Sequence, residues 1–262
     1  MSEDDAGGSP ALDRVAAFAP HAAVVFGSGL ATLPRDAVVR DELAYDELGW
    51  PRTAVPGHAN RLSLVEAPAD DGTRLRLALA CGRPHLYEGW DEEELGRCVR
   101  DLCAAGVSRI MLTNSSGALR PEVEPGTVVA CLAVVDLQTA PPGEDPLVLT
   151  VCRRDEAEGA AAALAPHGRT GVYVAVSGPQ FETPAEVKWL RRYGDVVGMS
   201  AAPEVRAAHA AGASACLLAL VANRAAAVRS HDDVLTGGAS LAALLAGRLA
   251  ATIVARGTER GV

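Results

Sequence analysis

The chain has 262 residues, of which 49% are hydrophobic and 22% are charged, and this balance is typical of a single soluble α/β domain with a large apolar core. The formal net charge of -9 disfavours a nucleic-acid polymer as a partner, because most of the surface would repel its phosphates. A small anion can still enter a locally positive pocket, so any phosphate partner is expected to be small.

The amino terminus is acidic and glycine-rich, with neither the positive region nor the apolar region of a signal peptide. We therefore expect a disordered tail over residues 1–10, a single domain over residues 11–262 and a cytoplasmic location. The longest apolar run, Ala239–Ala255, is interrupted by polar residues and is shorter than the ~20 residues that a bilayer requires. It predicts a packed helix, and no membrane partner is expected.

The cysteines lie mostly in apolar runs and never as Cys-x-x-Cys, which favours reduced, buried thiols over a disulfide framework or a zinc site. They are Cys81, Cys98, Cys103, Cys131, Cys152 and Cys216. We expect no metal.

Short β-branched or aliphatic runs alternate with amphipathic stretches rich in alanine and leucine, the pattern of a sheet flanked by helices. The predicted strands, in chain order, are Ala22–Phe26, Arg61–Glu66, Arg74–Ala80, Arg109–Leu112, Thr127–Val135, Gly171–Val176, Asp195–Val197 and Ala215–Val221. The predicted helices are Asp91–Ala105, Asp155–Leu164, Pro184–Tyr193, Pro203–Ala211 and Ala239–Ala255.

Unusual polar residues follow closely on several predicted strands. These segments are Gly27-Ser28-Gly29, Arg83/His85/Tyr87, Asn114-Ser115-Ser116-Gly117, Phe181/Glu182, Met199-Ser200 and Asn223. Ligands of open α/β sheets bind outside the carboxyl ends of the strands, so we expect these segments to converge on one crevice.

The glycine-flanked Ser28 could present backbone amides and a hydroxyl to an oxyanion, although a simple tight turn is an equal alternative. The segment is too short for a dinucleotide fingerprint, lacks a Walker lysine and does not match the seryl hydrolase elbow. Thr113-Asn114-Ser115-Ser116-Gly117 could likewise bind an anion through its amides or form a capped turn after a strand.

In the segment from Cys81 to Trp90, alternate positions of an extended chain place Arg83, His85 and Tyr87 on one side. A guanidinium offers a bidentate fork for phosphate, and an imidazole offers a further donor. The alternative is a surface arginine with a packing tyrosine.

The stretch from Gly178 to Glu204 is the most informative part of the chain. It places an aromatic ring beside a carboxylate at Phe181 and Glu182, and a thioether beside a hydroxyl at Met199 and Ser200. This combination suits a flat polar heterocycle joined to a sugar, as in a purine nucleoside. Each residue also has a structural alternative, because Glu182 could serve as a first-turn helix charge and Met199 as core filler.

The ordered motifs resemble those of the trimeric, low-molecular-mass class of purine nucleoside phosphorylases, from about Val24 to about His231. The motifs are G-S-G-L, V-P-G-H, G-R-x-H-x-Y-E-G, T-N-x-x-G, G-P-x-F-E-T-x-A-E, V-G-M-S and a later Asn. The resemblance implies an α/β single domain with a mixed central β-sheet twisted toward a barrel and surrounded by helices. It also implies a homotrimer that needs phosphate as co-substrate and no metal or organic cofactor.

The resemblance assigns roles to individual residues. It implies a phosphate site of Ser28, His58, Arg83, His85, the Ser115 amide and Ser200. It implies a nucleoside site of Tyr87, Phe181, Glu182, Val197, Met199, Asn223 and His231, with Glu88 as a support for the site. His85, Glu182 and Asn223 would be the catalytic residues, and the amide at Asn223 would favour 6-keto over 6-amino purines.

The chain also departs from the family's pattern. Serines stand at 115 and 116, and alanines at 201 and 222, where the family usually has alanines and threonines respectively. After Asp136 the segment to Arg153 is short, so the aromatic loop with which the family caps the neighbouring subunit's ribose is expected to be missing. Alternatives therefore stay open: a phosphorylase of a modified or 5′-methylthio nucleoside, or a catalytically weak nucleoside-binding homologue. A nucleoside hydrolase is disfavoured, because it would give Arg83 no role.

Overall fold

The computed structural model describes residues 9–69, 72–139, 144–227, 242–246, 248, 252 and 253. His231 and part of the predicted helix Ala239–Ala255 lie outside these residues, although residues 242–246 are helical. The first helix begins at Pro10, so the last residue of the predicted tail belongs to a helix, and residues 1–8 are not described.

Strands and helices alternate along most of the chain. The strands are β1 (Ala22–Val25), β2 (Val38–Ala44), β3 (Arg61–Pro68), β4 (Arg74–Ala80), β5 (Arg109–Ala118), β6 (Val128–Asp136), β7 (Leu147–Thr150), β8 (Gly168–Ala175), β9 (Val196–Gly198) and β10 (Ser214–Arg224). The helices are α1 (Pro10–Phe18), α2 (Tyr45–Leu48), α3 (Glu92–Ala104), α4 (Arg154–Ala163), α5 (Pro184–Leu190) and α6 (Ala202–Ala210), with a 3-10 turn at Leu86–Glu88.

Every predicted strand is present, and two further strands escaped the sequence analysis. The first, β2, pairs only with β3 and carries charged, mostly exposed residues, so it has no apolar alternation to reveal it. The second, β7, is a four-residue strand that pairs with β6 alone. Edge strands of this kind are defined by their neighbour's hydrogen bonds and much less by their own sequence.

The sheet closes on itself in its carboxy-terminal half. Strands β10, β6, β8, β9 and β5 follow one another as hydrogen-bonded neighbours, and a parallel pairing of β10 with β5 completes the ring. Strands β1, β4, β3 and β2 continue the sheet outward from β5. The expected mixed sheet, twisted toward a barrel, is therefore confirmed.

The helices cover the sheet, and their ends agree with the local sequence. Asp91 caps α3 by accepting from the amide of Glu94, and Thr183 caps α5 by accepting from Glu186. Strand β1 is buried throughout, as expected of a strand covered on both faces. Among the described helices, none has the length and apolar character that crossing a bilayer would need.

Candidate active site

One cavity gathers most of the residues that the sequence analysis selected. Its empty volume is about 770 Å³ when the open solvent at its mouth is included, so it is an open cleft. The selected residues in its wall are Ser28, Arg83, His85, Tyr87, Ser115, Phe181, Glu182, Val197, Met199, Ser200 and Asn223. The predicted meeting of a guanidinium, a carboxylate and an amide around one cleft is thus present in the structure.

Two of these segments lie within strands and not, as expected, in turns after them. Strand β5 runs to Ala118, so Asn114–Gly117 are part of it, and Asn223 is part of β10. The two strands pair in parallel over this whole length, with a bulge between Val221 and Asn223. Because each strand supplies the other's backbone partners, both continue through small polar residues that would otherwise favour a turn.

Arg83 is buried, and protein acceptors already engage its guanidinium. Its Nε donates to Oε1 of Glu204 at 2.6 Å, and one terminal nitrogen donates to the carbonyl of Thr113 at 2.6 Å. Glu204 is itself only 5% exposed, so the pair is buried as a unit. The arginine is therefore fixed at the wall of the cavity with its charge largely offset. It does not present the free bidentate fork for phosphate that the sequence suggested.

His85 is oriented by Glu88. The Glu88 carboxylate accepts from the backbone amide of His85 at 2.8 Å and contacts its Nδ1 at 3.1 Å. It also accepts from the Thr53 hydroxyl and the Ala54 amide. Partial burial acts to raise the pKa of Glu88, but these hydrogen bonds outweigh it and lower the pKa to about 2. The carboxylate stays ionised and fixes the ring so that Nε2 lies on the opposite edge.

Tyr87 stacks on the ring of His85, with centroids 4.8 Å apart and planes inclined by 13°. The segment was expected to be extended, but it turns into the 3-10 helix at Leu86–Glu88. Tyr87 still reaches the cavity wall. Burial, and secondarily the charge of Glu88, raise the pKa of Tyr87 to about 12, so its hydroxyl stays protonated near neutral pH.

Phe181 and Glu182 lie in the loop before α5, and both contribute to the cavity. Burial raises the pKa of Glu182, and the nearby charge of Glu186 adds to the effect. Phe181 is 41% exposed, so its ring stands at the mouth of the cavity. The loop starts at Gly178, whose φ of 71° and close approach to Met199 leave no room for a side chain.

His58 is placed at the edge of the site. It is not among the residues that form the cavity wall, but its Nε2 lies 3.0 Å from the hydroxyl of Ser28. Its ring centroid is 6.1 Å from that of His85. The expected contact of His231 with the sugar falls outside the described residues.

The short segment after Asp136 packs against the back of the site. Asp136 is buried, and its carboxylate accepts from Arg206 at 2.6 Å. Two residues on, Nε2 of Gln138 donates to the carbonyls of Val176 and Met199. Strand β7 then pairs with β6, so the chain returns to the sheet soon after leaving it.

Sequence reasoning missed two participants. Glu204 ends the stretch that the sequence analysis found most informative, but it was given no role, because it looks like an ordinary first-turn charge of α6 and the fold brings it to Arg83. Asn114 was noted only as part of a small polar run, yet it is one of the residues that line the cavity. Across the described ranges, no group of three or more His, Cys, Asp or Glu is arranged to hold a metal ion.

Comparisons with known proteins identify the family of the chain. The model of the phosphorylase superfamily matches residues 37–254. A purine nucleoside phosphorylase of Mycobacterium leprae (strain TN) is 35% identical over 255 residues, which cover 93% of this chain and 92% of that protein. Purine nucleoside phosphorylase 1 of Bacillus subtilis (strain 168) is 31% identical, over 86% of this chain and 90% of its own length.

A solved structure extends the likeness to the fold. The crystal structure of Schistosoma mansoni purine nucleoside phosphorylase in complex with inosine has a TM-score of 0.73 and is 27% identical, covering 92% of this chain and 95% of that one. The chain belongs to the phosphorylase superfamily and, within it, to the purine nucleoside phosphorylases.

Proposed function

We infer that this protein is an enzyme that cleaves purine nucleosides of the inosine and guanosine type with inorganic phosphate. The products are the free base and ribose 1-phosphate. One observation carries the inference: hydroxyl, guanidinium and imidazole groups at Ser28, Arg83 and His85 share a cavity with Glu182 and Asn223. An anion and a heterocycle can therefore be held side by side.

The base end supplies the interactions that strengthen during the reaction. Breaking the glycosidic bond makes the ribosyl group cationic in character and moves negative charge into the leaving purine. Asn223, 8% exposed on β10, is proposed to bond O6 and N7 of the base, and Glu182 to accept from its N1–H and 2-amino edge. Phe181 and Val197 are proposed to pack on the ring. Donors to the departing base stabilise the transition state more than the ground state.

The phosphate end supplies the nucleophile. Phosphate is proposed to bind beneath the anomeric carbon, held by Ser28, His85, Ser200 and the Ser115 amide. Arg83 is proposed to line this end of the site in a position fixed by Glu204, and His58 to act on Ser28. Attack from the face opposite the purine inverts the anomeric centre. No side chain has to form a covalent intermediate. Phosphate is the co-substrate, and the proposal includes no metal or organic cofactor.

The remaining contacts complete the proposal. Tyr87 and Met199 would line the ribose, and His231 would bond its 5′-hydroxyl.

We also propose that the protein forms a homotrimer and is located in the cytoplasm. Trp189 is 43% exposed in the wall of a neighbouring cavity, which supports a subunit contact there. Light scattering on the purified protein measures the oligomeric state directly.

One assay tests the function. The protein is incubated with inosine, guanosine, adenosine and methylthioadenosine, with and without phosphate, and the free base is followed. We expect release from inosine and guanosine only when phosphate is present. Phosphate-independent release would instead identify a hydrolase, and saturable binding without release a non-catalytic homologue. Preference for methylthioadenosine would move the assignment to a 5′-methylthio nucleoside phosphorylase.

A further inference from the structure

Asn60 is a fixed point just after β4, and it does not itself line the cavity. Its backbone is held on both sides, because its amide donates to the carbonyl of Cys81 at 2.9 Å and its carbonyl accepts from the amide of Tyr45 at 3.0 Å. Its φ of 50° lies in the left-handed region, which asparagine tolerates better than most residues. The side chain of Asn60 is therefore presented from an anchored backbone.

This side chain binds both backbone groups of Thr53. Oδ1 of Asn60 accepts from the amide of Thr53 at 3.0 Å, and Nδ2 donates to the carbonyl of Thr53 at 2.9 Å. We call these two hydrogen bonds the Thr53–Asn60 clamp. The clamp closes the segment 53–60, which includes the Pro56-Gly57 turn and His58.

The hydroxyl of Thr53 holds the carboxylate of Glu88 in place. Thr53 is 6% exposed, and its Oγ1 lies 2.9 Å from each oxygen of that carboxylate. The same hydroxyl accepts from the amide of Val55 at 3.1 Å, so its proton is directed to Glu88. Glu88 in turn accepts from the amide of His85 and contacts its Nδ1. A continuous set of hydrogen bonds thus joins Asn60 to the ring of His85.

The clamp also holds the loop that carries the second histidine of the proposed site. Nε2 of His58 lies 3.0 Å from the hydroxyl of Ser28, and the ring centroids of His58 and His85 are 6.1 Å apart. Neither Thr53 nor Asn60 forms part of the cavity wall. Any effect of these two residues on the reaction must therefore act through other side chains.

We propose that Thr53 and Asn60 are positioning residues for the imidazole of His85. Glu88 carries their effect to the ring, because an ionised carboxylate can only accept and so selects the tautomer with the proton on Nδ1. Nε2, on the opposite edge, is then the end that faces substrate. The effect on turnover rests on the function inferred above, whereas the state of the ring can be measured in the free protein.

Long-range proton–nitrogen NMR spectra at mildly alkaline pH, where an imidazole is neutral, show which ring nitrogen carries the proton. The signals of His85 are assigned by comparison with His85→Gln. We expect the Nδ1–H tautomer in the parent, and a shift toward a mixture with the Nε2–H tautomer in Thr53→Val and Asn60→Gly. Glycine suits the φ at this position, so Asn60→Gly removes the clamp without straining the backbone. Thr53→Ser keeps the hydroxyl and should restore the parental spectrum.

Steady-state assays measure the effect on the reaction. We expect Thr53→Val and Asn60→Gly each to lower kcat by about fivefold to tenfold, with little change in the KM for inosine, since no contact with the nucleoside is lost. Ser63→Ala is the matched control, because that serine is 2% exposed and its hydroxyl donates to Glu42, away from the cavity wall. The control should keep the parental kcat and the parental signals of His85.

A purely structural role for the clamp would lower the Tm of Thr53→Val and Asn60→Gly while His85 keeps its parental tautomer and kcat its parental value. That result would overturn the proposal, and so would a failure of Thr53→Ser to restore the signals of His85. The spectra need no turnover. If the tautomer shifts as expected but the parent releases no base, the proposed function is refuted and the positioning of His85 stands.

Discussion

The guanidinium of Arg83 and the carboxylate of Glu204 form a buried ion pair at the wall of the cavity, with Nε and Oε1 2.6 Å apart. The pair joins the segment after β4 to the first turn of α6, which begins two residues after Ser200. The glutamate therefore helps to place both a cationic and a hydroxyl group at the proposed phosphate site.

Removing Glu204 should be costly, because it leaves an unpaired buried guanidinium. We expect Glu204→Ala to reduce the free energy of unfolding by about 3–5 kcal/mol in urea titrations at neutral pH. Phosphate should raise the Tm of this variant more than that of the parent, since an anion can take over part of the carboxylate's role. A loss below about 1 kcal/mol would show that the pair is not the buried unit described above.

The residues that contact the purine should contribute most to catalysis. We expect Glu182→Ala and Asn223→Ala each to lower kcat/KM for inosine by about 10²–10³, because each removes a contact that strengthens as the purine leaves. Steady-state assays of base release measure this. Glu186→Gln is the matched control, since that carboxylate lies four residues further along the chain, accepts from the amide of Thr183 and does not form the cavity wall. Equal losses in all three variants would contradict the assignment of the base contacts.

The residue at 223 should set the preference for the purine's 6-substituent. A carboxylate there can only accept, so it suits a 6-amino group and repels a 6-keto oxygen. We expect Asn223→Asp to raise the ratio of kcat/KM for adenosine to that for inosine by about tenfold or more. The two substrates are compared in one enzyme preparation, so losses in folding cancel from the ratio. An unchanged ratio would show that Asn223 does not contact the 6-substituent of the purine.

Glu88 should stabilise the protein in a way that depends on pH. Its folded pKa of about 2 lies below the ordinary 4.5, so its contribution is present above about pH 4.5 and is lost as the pH falls through about 2. We expect Glu88→Gln to reduce the free energy of unfolding at pH 7 by about 1–3 kcal/mol. The difference from the parent should be clearly smaller at about pH 3. An equal difference at both pH values would mean that ionisation of Glu88 is irrelevant.

The sequence correctly predicted features that depend on residues adjacent in the chain. Asp91 and Thr183 with Pro184 marked two helix starts correctly, and the Phe181–Glu182 loop was placed at the site. The lengths of β5 and β10 were underestimated, because their last residues are mostly small or polar and are held in strands by pairing with each other and, for β5, with β9. The burial of Arg83 depends on Glu204, which is far away in the chain, so no local pattern could reveal it.

The pairing of β5 with β10 also determines the stage of folding at which the site can form. These strands lie far apart in the chain, yet together they carry Asn114, Ser115 and Asn223. A nascent polypeptide that has not yet reached Arg224 lacks Asn223 and the parallel partner of β5, and therefore lacks part of the pocket wall. Purine and phosphate cannot template the early steps of folding, and slow association of such distant strands should precede any recovery of activity during refolding.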